Sequence, residues 1–188
     1  MFSETEKLQQ LKICSLFMYA DGESSPSEVK YLDDIIAKGN LPKAVIKDFY
    51  TFCGKISLKL PTGTAKAVIS EIDELLREIG PWGINESKTM QAQTIWTLIN
   101  LGYADSEYSE AERTVVKHLV KRWEMDPALV AELNDTAETI LALTLQKEWI
   151  QTTSKPYTVI HGIIQELERN IASMFANVEI SISEADIA

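Results

Sequence analysis

The chain has 188 residues, 45% of them apolar and 24% charged, with a formal net charge of −10. This is the composition of one globular domain long enough to bury a core, and no stretch approaches the ~20 apolar residues of a membrane-spanning helix. The acidic surplus argues against a nucleic-acid backbone as partner, which is gripped by Lys and Arg, and suits cations or a basic protein patch.

The charge is uneven. Residues 1–94 hold 11 basic and 13 acidic side chains, and residues 95–188 hold 7 and 15. The N-terminus places Ser3, Glu4, Glu6 and Lys7 ahead of any apolar run, so it does not read as a signal peptide. Cys14 and Cys53 have no metal-binding or redox spacing and read as buried thiols of a reducing compartment. The expectation is a cytoplasmic protein.

In chain order the pattern predicts helices throughout. Residues 3–20 carry Leu8, Leu11, Cys14 and Phe17 at helical spacing. After a loop over 21–24, Ser25-Pro26-Ser27-Glu28 is a start signal: a capping Ser, Pro at the first helical position and Glu three residues after the cap. That helix is expected to end at Gly39-Asn40, and a third runs from Pro42 through Phe52, with 55–60 readable either way. Pro61-Thr62-Gly63 is a break. Residues 64–79 form an amphipathic helix, and Gly80-Pro81-Trp82-Gly83 is a turn between the two halves. The second half predicts helices over 86–104, 110–123 and from Asp126-Pro127 to about Lys147. Residues 152–156 read as a linker. The last helix, about 157–176, carries Ile160, Ile164, Leu167, Ile171, Met174 and Val178 at alternating steps of four and three, a coiled-coil rhythm. Residues 179–188 are expected to fray. The fold class is therefore all-α, a compact bundle of about seven to eight helices: a domain over 1–150, then a C-terminal helix and tail over 151–188.

The strongest signal is an internal repeat. Tyr19-Ala20-Asp21-Gly22-Glu23-Ser24-Ser25-Pro26-Ser27-Glu28 returns 84 positions later as Tyr103-Ala104-Asp105-Ser106-Glu107-Tyr108-Ser109-Glu110-Ala111-Glu112. The apolar phase persists downstream, where Leu32, Ile35 and Ile36 align with Val116, Leu119 and Val120. Such periodicity reads as two copies of one helix-loop-helix unit, over about 8–80 and 86–147.

Each copy sets an Asp and a Glu across a short loop: Asp21 with Glu28, and Asp105 with Glu112. Each Glu shares a helix face with apolar residues four and seven positions on, so both extend an inward stripe. One reading is structural, because Ser-x-x-Glu is a capping box and an acid complements the helix N-terminus. That reading leaves Asp21 and Asp105 unexplained, since the end of a helix disfavours negative charge. The other reading is an oxygen-ligand site for a divalent cation of the Ca or Mg class, with Asp21, Glu28, Asp105 and Glu112 as ligands and Glu23 and Glu107 as weaker candidates. The spacing is not that of an EF-hand.

At these residues the chain resembles the tellurite-resistance TerB-like family. Its signature runs apolar-x-x-Ala-x-Ala-Asp-Gly-x-apolar-x-x-x-Glu and occurs in both halves of one all-helical domain. Here it stands as Phe17 to Glu28 and again as Leu101 to Glu112. The resemblance covers about residues 8–147. It implies a bundle of about seven helices whose acidic loops meet in a metal-binding centre, with the ligand role on Asp21, Glu28, Asp105 and Glu112. It also implies a setting in tellurite and other chemical-stress resistance. Ser106 departs from the signature Gly, and the helix after Thr152 lies outside the resemblance.

Other residues point to packing. His118 and His161 have no ligand-like neighbours, and no nucleophile motif or phosphate loop is present, so a non-enzymatic protein is expected. Trp82, Trp96, Trp123 and Trp149 read as core or inter-helix filler. The seam at 160–178 either folds back on the bundle or pairs with a second copy or a partner helix. Two functions are thus open: a non-enzymatic cation-binding protein of a stress response, or a protein-interaction module whose acidic loops are helix caps.

Overall fold

The computed structural model describes residues 3–22, 24–60, 63–154 and 156–185. These residues form eight α-helices: α1 (Glu4–Phe17), α2 (Pro26–Lys38), α3 (Lys43–Lys59), α4 (Ala65–Ile79), α5 (Lys88–Gly102), α6 (Glu110–Arg122), α7 (Pro127–Gln151) and α8 (Tyr157–Glu184), with a 3-10 turn at Gly83–Asn85. No strand occurs among the described residues. The helices starting at Glu4, Pro26 and Lys43 are each followed 84 positions later by one starting at Lys88, Glu110 and Pro127.

Helices α1 and α5 occupy the middle, and their sequences say why. A helix buried on all sides must be apolar on all sides. Along α5, eleven residues from Met90 to Gly102 are buried, and in α1 the run Leu11 and Ile13–Phe17 is buried. Two buried hydroxyls there are satisfied locally: those of Thr94 and Thr97 donate to the carbonyls of Met90 and Gln93, each at 2.8 Å. Helices α3 and α4 pack on α1, while α6, α7 and α8 pack on α5. Helix α2 of the first half also touches α5 of the second. Asp73 of α4 binds His118 Nε2 at 2.9 Å and Arg122 Nη1 at 3.0 Å, tying α4 to α6.

Several boundaries differ from the sequence expectation, each because of packing. The ambiguous segment 55–60 continues α3 as far as Lys59, where Ile56 is buried. Helix α7 runs to Gln151 rather than Lys147, with Ile150 buried near its end. Helix α8 does not fray at 179. It continues to Glu184 because Val178 and Ile182 are buried in the main core, and Ser181 Oγ donates to Glu132 Oε1 of α7 at 2.8 Å. The remainder of the expected frayed tail, 186–188, lies outside the described residues. Trp96 and Trp123 are buried as expected. Trp82 and Trp149 are not filler: they are 69% and 67% exposed.

Candidate metal centre

Among the described residues three helices open with a capping box, and comparing them separates capping from anything further. In α1, Ser3 N donates to Glu6 Oε2 at 2.7 Å in an exposed setting. In α2, Ser25 N donates to Glu28 Oε2 at 2.6 Å, and Glu28 N donates to Ser25 Oγ at 3.1 Å. In α6, Ser109 N donates to Glu112 Oε2 at 2.7 Å, and Glu112 N donates to Ser109 Oγ at 3.2 Å. The hydrogen bonding is the same in all three, so capping does not require burial. Yet Glu28 is 5% exposed and Glu112 is 3% exposed.

Burial has the expected electrostatic result. Removing a carboxylate from water disfavours its charged form. Burial pushes the Glu28 carboxyl above its usual range against the Ser25 bonds that favour ionisation, and the charges of Asp105 and Asp21 push it further. Burial likewise drives Glu112 up to about 7 despite the Ser109 bonds, with added repulsion from Glu28 and Asp21. The interactions cross between the halves. Glu28 feels Asp105, and Glu112 feels Glu28 and Asp21. The four carboxyls chosen from the sequence therefore share one electrostatic neighbourhood, and the fold brings the two loops together through the contact of α2 with α5.

The loops have a matching backbone. Gly22 N donates to Tyr19 O at 3.3 Å, and Ser106 N donates to Tyr103 O at 3.0 Å. Gly22 has φ +99° and Ser106 has φ +73°. Ser106 thus takes a positive φ at the position where the first loop has Gly22. Asp21 and Asp105 are exposed at the loop surfaces. Asp105 Oδ1 accepts from Glu107 N at 3.1 Å, while the Glu107 side chain is exposed. Glu23, the other weaker candidate, lies outside the described residues.

Close packing supports each loop. In the second, the Tyr103 and Tyr108 rings meet with centroids 5.1 Å apart, and the Arg113 guanidinium lies 4.3 Å from the Tyr108 ring. Arg113 Nε also donates to Tyr108 O at 3.1 Å. Gly102 makes room for this brace: a Cβ there would stand 2.5 Å from Tyr108 Cδ2 and 3.3 Å from Glu112 Oε1. In the first loop, a Cβ on Gly63 would stand 2.1 Å from Tyr19 O. The only sequence signal for Gly63 was the Pro61-Thr62-Gly63 break, and its contact with the loop is long-range.

Among the described residues, no group of three or more Asp, Glu, His or Cys side chains is arranged to hold a metal ion. In donor chemistry the carboxylates suit a hard cation. Among the described residues, no Lys, Arg or His forms an ion pair with Glu28, Asp105 or Glu112. Cys14 and Cys53 lie apart from this chemistry as free thiols; Cys14 is fully buried and pushed up to about 12 by desolvation. No family model, curated protein or solved structure matches the chain. Among the described residues, no helix is long and apolar enough to cross a membrane.

Proposed function

We propose that the paired loops bind a divalent cation of the Ca or Mg class, and that the protein is a non-enzymatic cation-binding component of a chemical-stress response of the TerB-like type. The observation that supports this reading is the burial of Glu28 and Glu112 beside two further acids, with no Lys, Arg or His among the described residues ion-paired to Glu28 or Glu112. Two unit charges ~4 Å apart repel by about 4 kcal/mol at an effective dielectric near 20. A divalent cation turns that repulsion into attraction. Glu28 and Glu112 would supply their carboxylates from the helix N-termini, and Asp21 and Asp105 would turn in from the loop surfaces to complete the oxygen set. Binding would require the glutamates to be ionised, so affinity would rise with pH through the range where Glu112 titrates.

The test is thermal unfolding of metal-stripped protein in EDTA, then with Ca²⁺, Mg²⁺ or Mn²⁺ added. A cation at a hundred times its dissociation constant stabilises by about 2.7 kcal/mol. The expected result is a rise in melting temperature with one of these ions, abolished by Asp21→Asn combined with Asp105→Asn. A melting temperature unmoved by every ion rejects the proposal.

The complete capping boxes favour a second reading, in which the acids serve the helices and the acidic surface engages a basic protein partner. Under it, the double Asn variant keeps its fold and its indifference to metals, and instead loses binding to that partner. Cytoplasmic residence accompanies both readings as a proposal resting on cysteine usage.

A further inference from the structure

The last residues of α4 and α6 and the first of α5 meet around a cleft of about 610 Å³, a size that accepts a small molecule. Its charged lining is Arg77, Glu86, Lys88, Arg122 and Glu124. On α6, Arg122 lies ten residues beyond Glu112, about 15 Å along the helix. The cleft is therefore separate from the carboxylate loops.

Two helix ends converge here, and a helix end repels anions through its free carbonyls. In this cleft those carbonyls have donors. Asn85 Nδ2 donates to Leu76 O at 2.8 Å and to Gly80 O at 2.6 Å, closing the end of α4. Lys88 Nζ donates to Trp123 O and, at 3.4 Å, to Glu124 O, closing the end of α6. Both arginines retain further donors. Arg122 uses Nη1 on Asp73 Oδ1 at 3.0 Å, and Arg77 uses Nε on the Asp73 carbonyl of its own helix at 3.2 Å. Among the described residues Arg77, Glu86 and Glu124 form no ion pair. The cleft thus holds charges of both signs that do not neutralise one another.

Gln91, which also lines the cleft, brings an unmet acceptor. It is 3% exposed, and its amide nitrogen donates to Ile84 O at 3.1 Å and to Asn85 O at 3.2 Å. Those two bonds use both amide hydrogens and fix which way the amide lies. They leave Oε1 buried with no hydrogen-bond partner among the described residues. Buried polar atoms are seldom left so. Glu124 stands at φ +50°, in the region that favours glycine, yet carries a carboxylate beside the cleft.

The mixture of signs selects the ligand. A simple anion would meet Glu86 and Glu124 and bring no donor for Gln91. A simple cation would meet Arg77, Arg122 and Lys88. A molecule with one carboxylate and one protonated amine satisfies every group. Its carboxylate accepts from the guanidinium N–H groups, its ammonium donates to the amide oxygen, and the two glutamates balance the ammonium charge.

We propose that this cleft binds a small zwitterion of the free α-amino-acid class, with its carboxylate on Arg77 and Arg122 and its ammonium on Gln91 Oε1.

The test is isothermal titration of the full chain, in EDTA, with each of the common L-amino acids in turn at millimolar concentration. EDTA keeps the result independent of any cation site. At least one amino acid is expected to bind. Its carboxamide, which lacks the carboxylate, and its N-trimethyl form, which keeps the positive charge without an N–H, are each expected to bind at least tenfold more weakly, because a site built for a hydrogen bond rejects the analogue lacking it. Arg77→Ala, at an exposed position without an ion pair, is expected to weaken binding about tenfold with the circular dichroism unchanged. Gln91→Met, close in shape, is expected to abolish the preference for the N–H form over the N-trimethyl form, a change that a structural role for Gln91 would not produce. Should Gln91→Met fail to fold, Arg77→Ala and the two analogues decide the matter. Absence of binding by every amino acid overturns the proposal, as does unchanged binding in Arg77→Ala or equal binding of the N-trimethyl form by wild type. Displacement of the amino acid by inorganic phosphate or methylammonium at equal concentration overturns it in favour of a simple ion site.

Discussion

The substitution Glu112→Gln isolates the cost of the buried carboxylate. Glutamine keeps the shape and the carbonyl oxygen that accepts from Ser109 N–H, so the cap survives in weaker form while the charge is removed. In the folded chain the Glu112 carboxyl is raised from 4.5 to about 7. The folded state therefore binds more protons than the unfolded state between those two values, and stability falls as pH rises through that window. At about 1.4 kcal/mol per pH unit, the full loss above the window is about 3 kcal/mol. Replacing a charge-assisted cap with a neutral one returns about 1 kcal/mol of this. The expected net gain for Glu112→Gln at pH 8 is about 1–2 kcal/mol, or roughly 2–8 °C in melting temperature for a domain of this size. Below the window the wild-type carboxyl is itself protonated, so the gain disappears. The assay is urea unfolding of both proteins, in EDTA, at pH 4.5 and pH 8. A variant less stable than wild type at pH 8, or a difference equal at the two pH values, refutes the electrostatic account and leaves Glu112 as a cap alone. A stabilising substitution at this position would be a sign that the carboxylate is retained for a purpose other than folding.

Ser106→Gly relieves a left-handed backbone at φ +73° and is expected to raise stability by up to about 1 kcal/mol, read as a shift in urea midpoint without a change in slope. Termination after Thr152 removes α8 and with it the buried Val178 and Ile182 of the main core. At ~1.5–3 kcal/mol per buried aliphatic side chain, the shortened chain is expected to lose several kcal/mol. A shortened chain as stable as the full one would show that α8 is not part of the folding unit.

Much of this architecture is carried by local signals. Ser25-Pro26-x-Glu28 and Ser109-x-x-Glu112 start α2 and α6 because the unpaired N–H groups of a helix are satisfied by residues next to them in the chain. The apolar register that put Glu28 and Glu112 on inward faces follows from 3.6 residues per turn, and both are buried. The all-helical class and the approximate position of each helix are readable for the same reason.

What required the tertiary structure is every feature that joins distant segments. Glu28 is repelled by Asp105, 77 positions away, only because α2 packs against α5. Gly63 makes room for Tyr19, and Gly102 for Tyr108, through approaches that no spacing rule encodes. The last turns of α8 hold because Val178 and Ile182 reach the main core, whereas local propensity alone would let them fray. Trp149 and Ile150 are neighbours in sequence, yet one is exposed and the other buried. Their difference is set by the helix that happens to lie alongside. Helix caps and periodicity act over one or two turns, but burial, repulsion between carboxylates and the choice of exposed face depend on which surfaces meet.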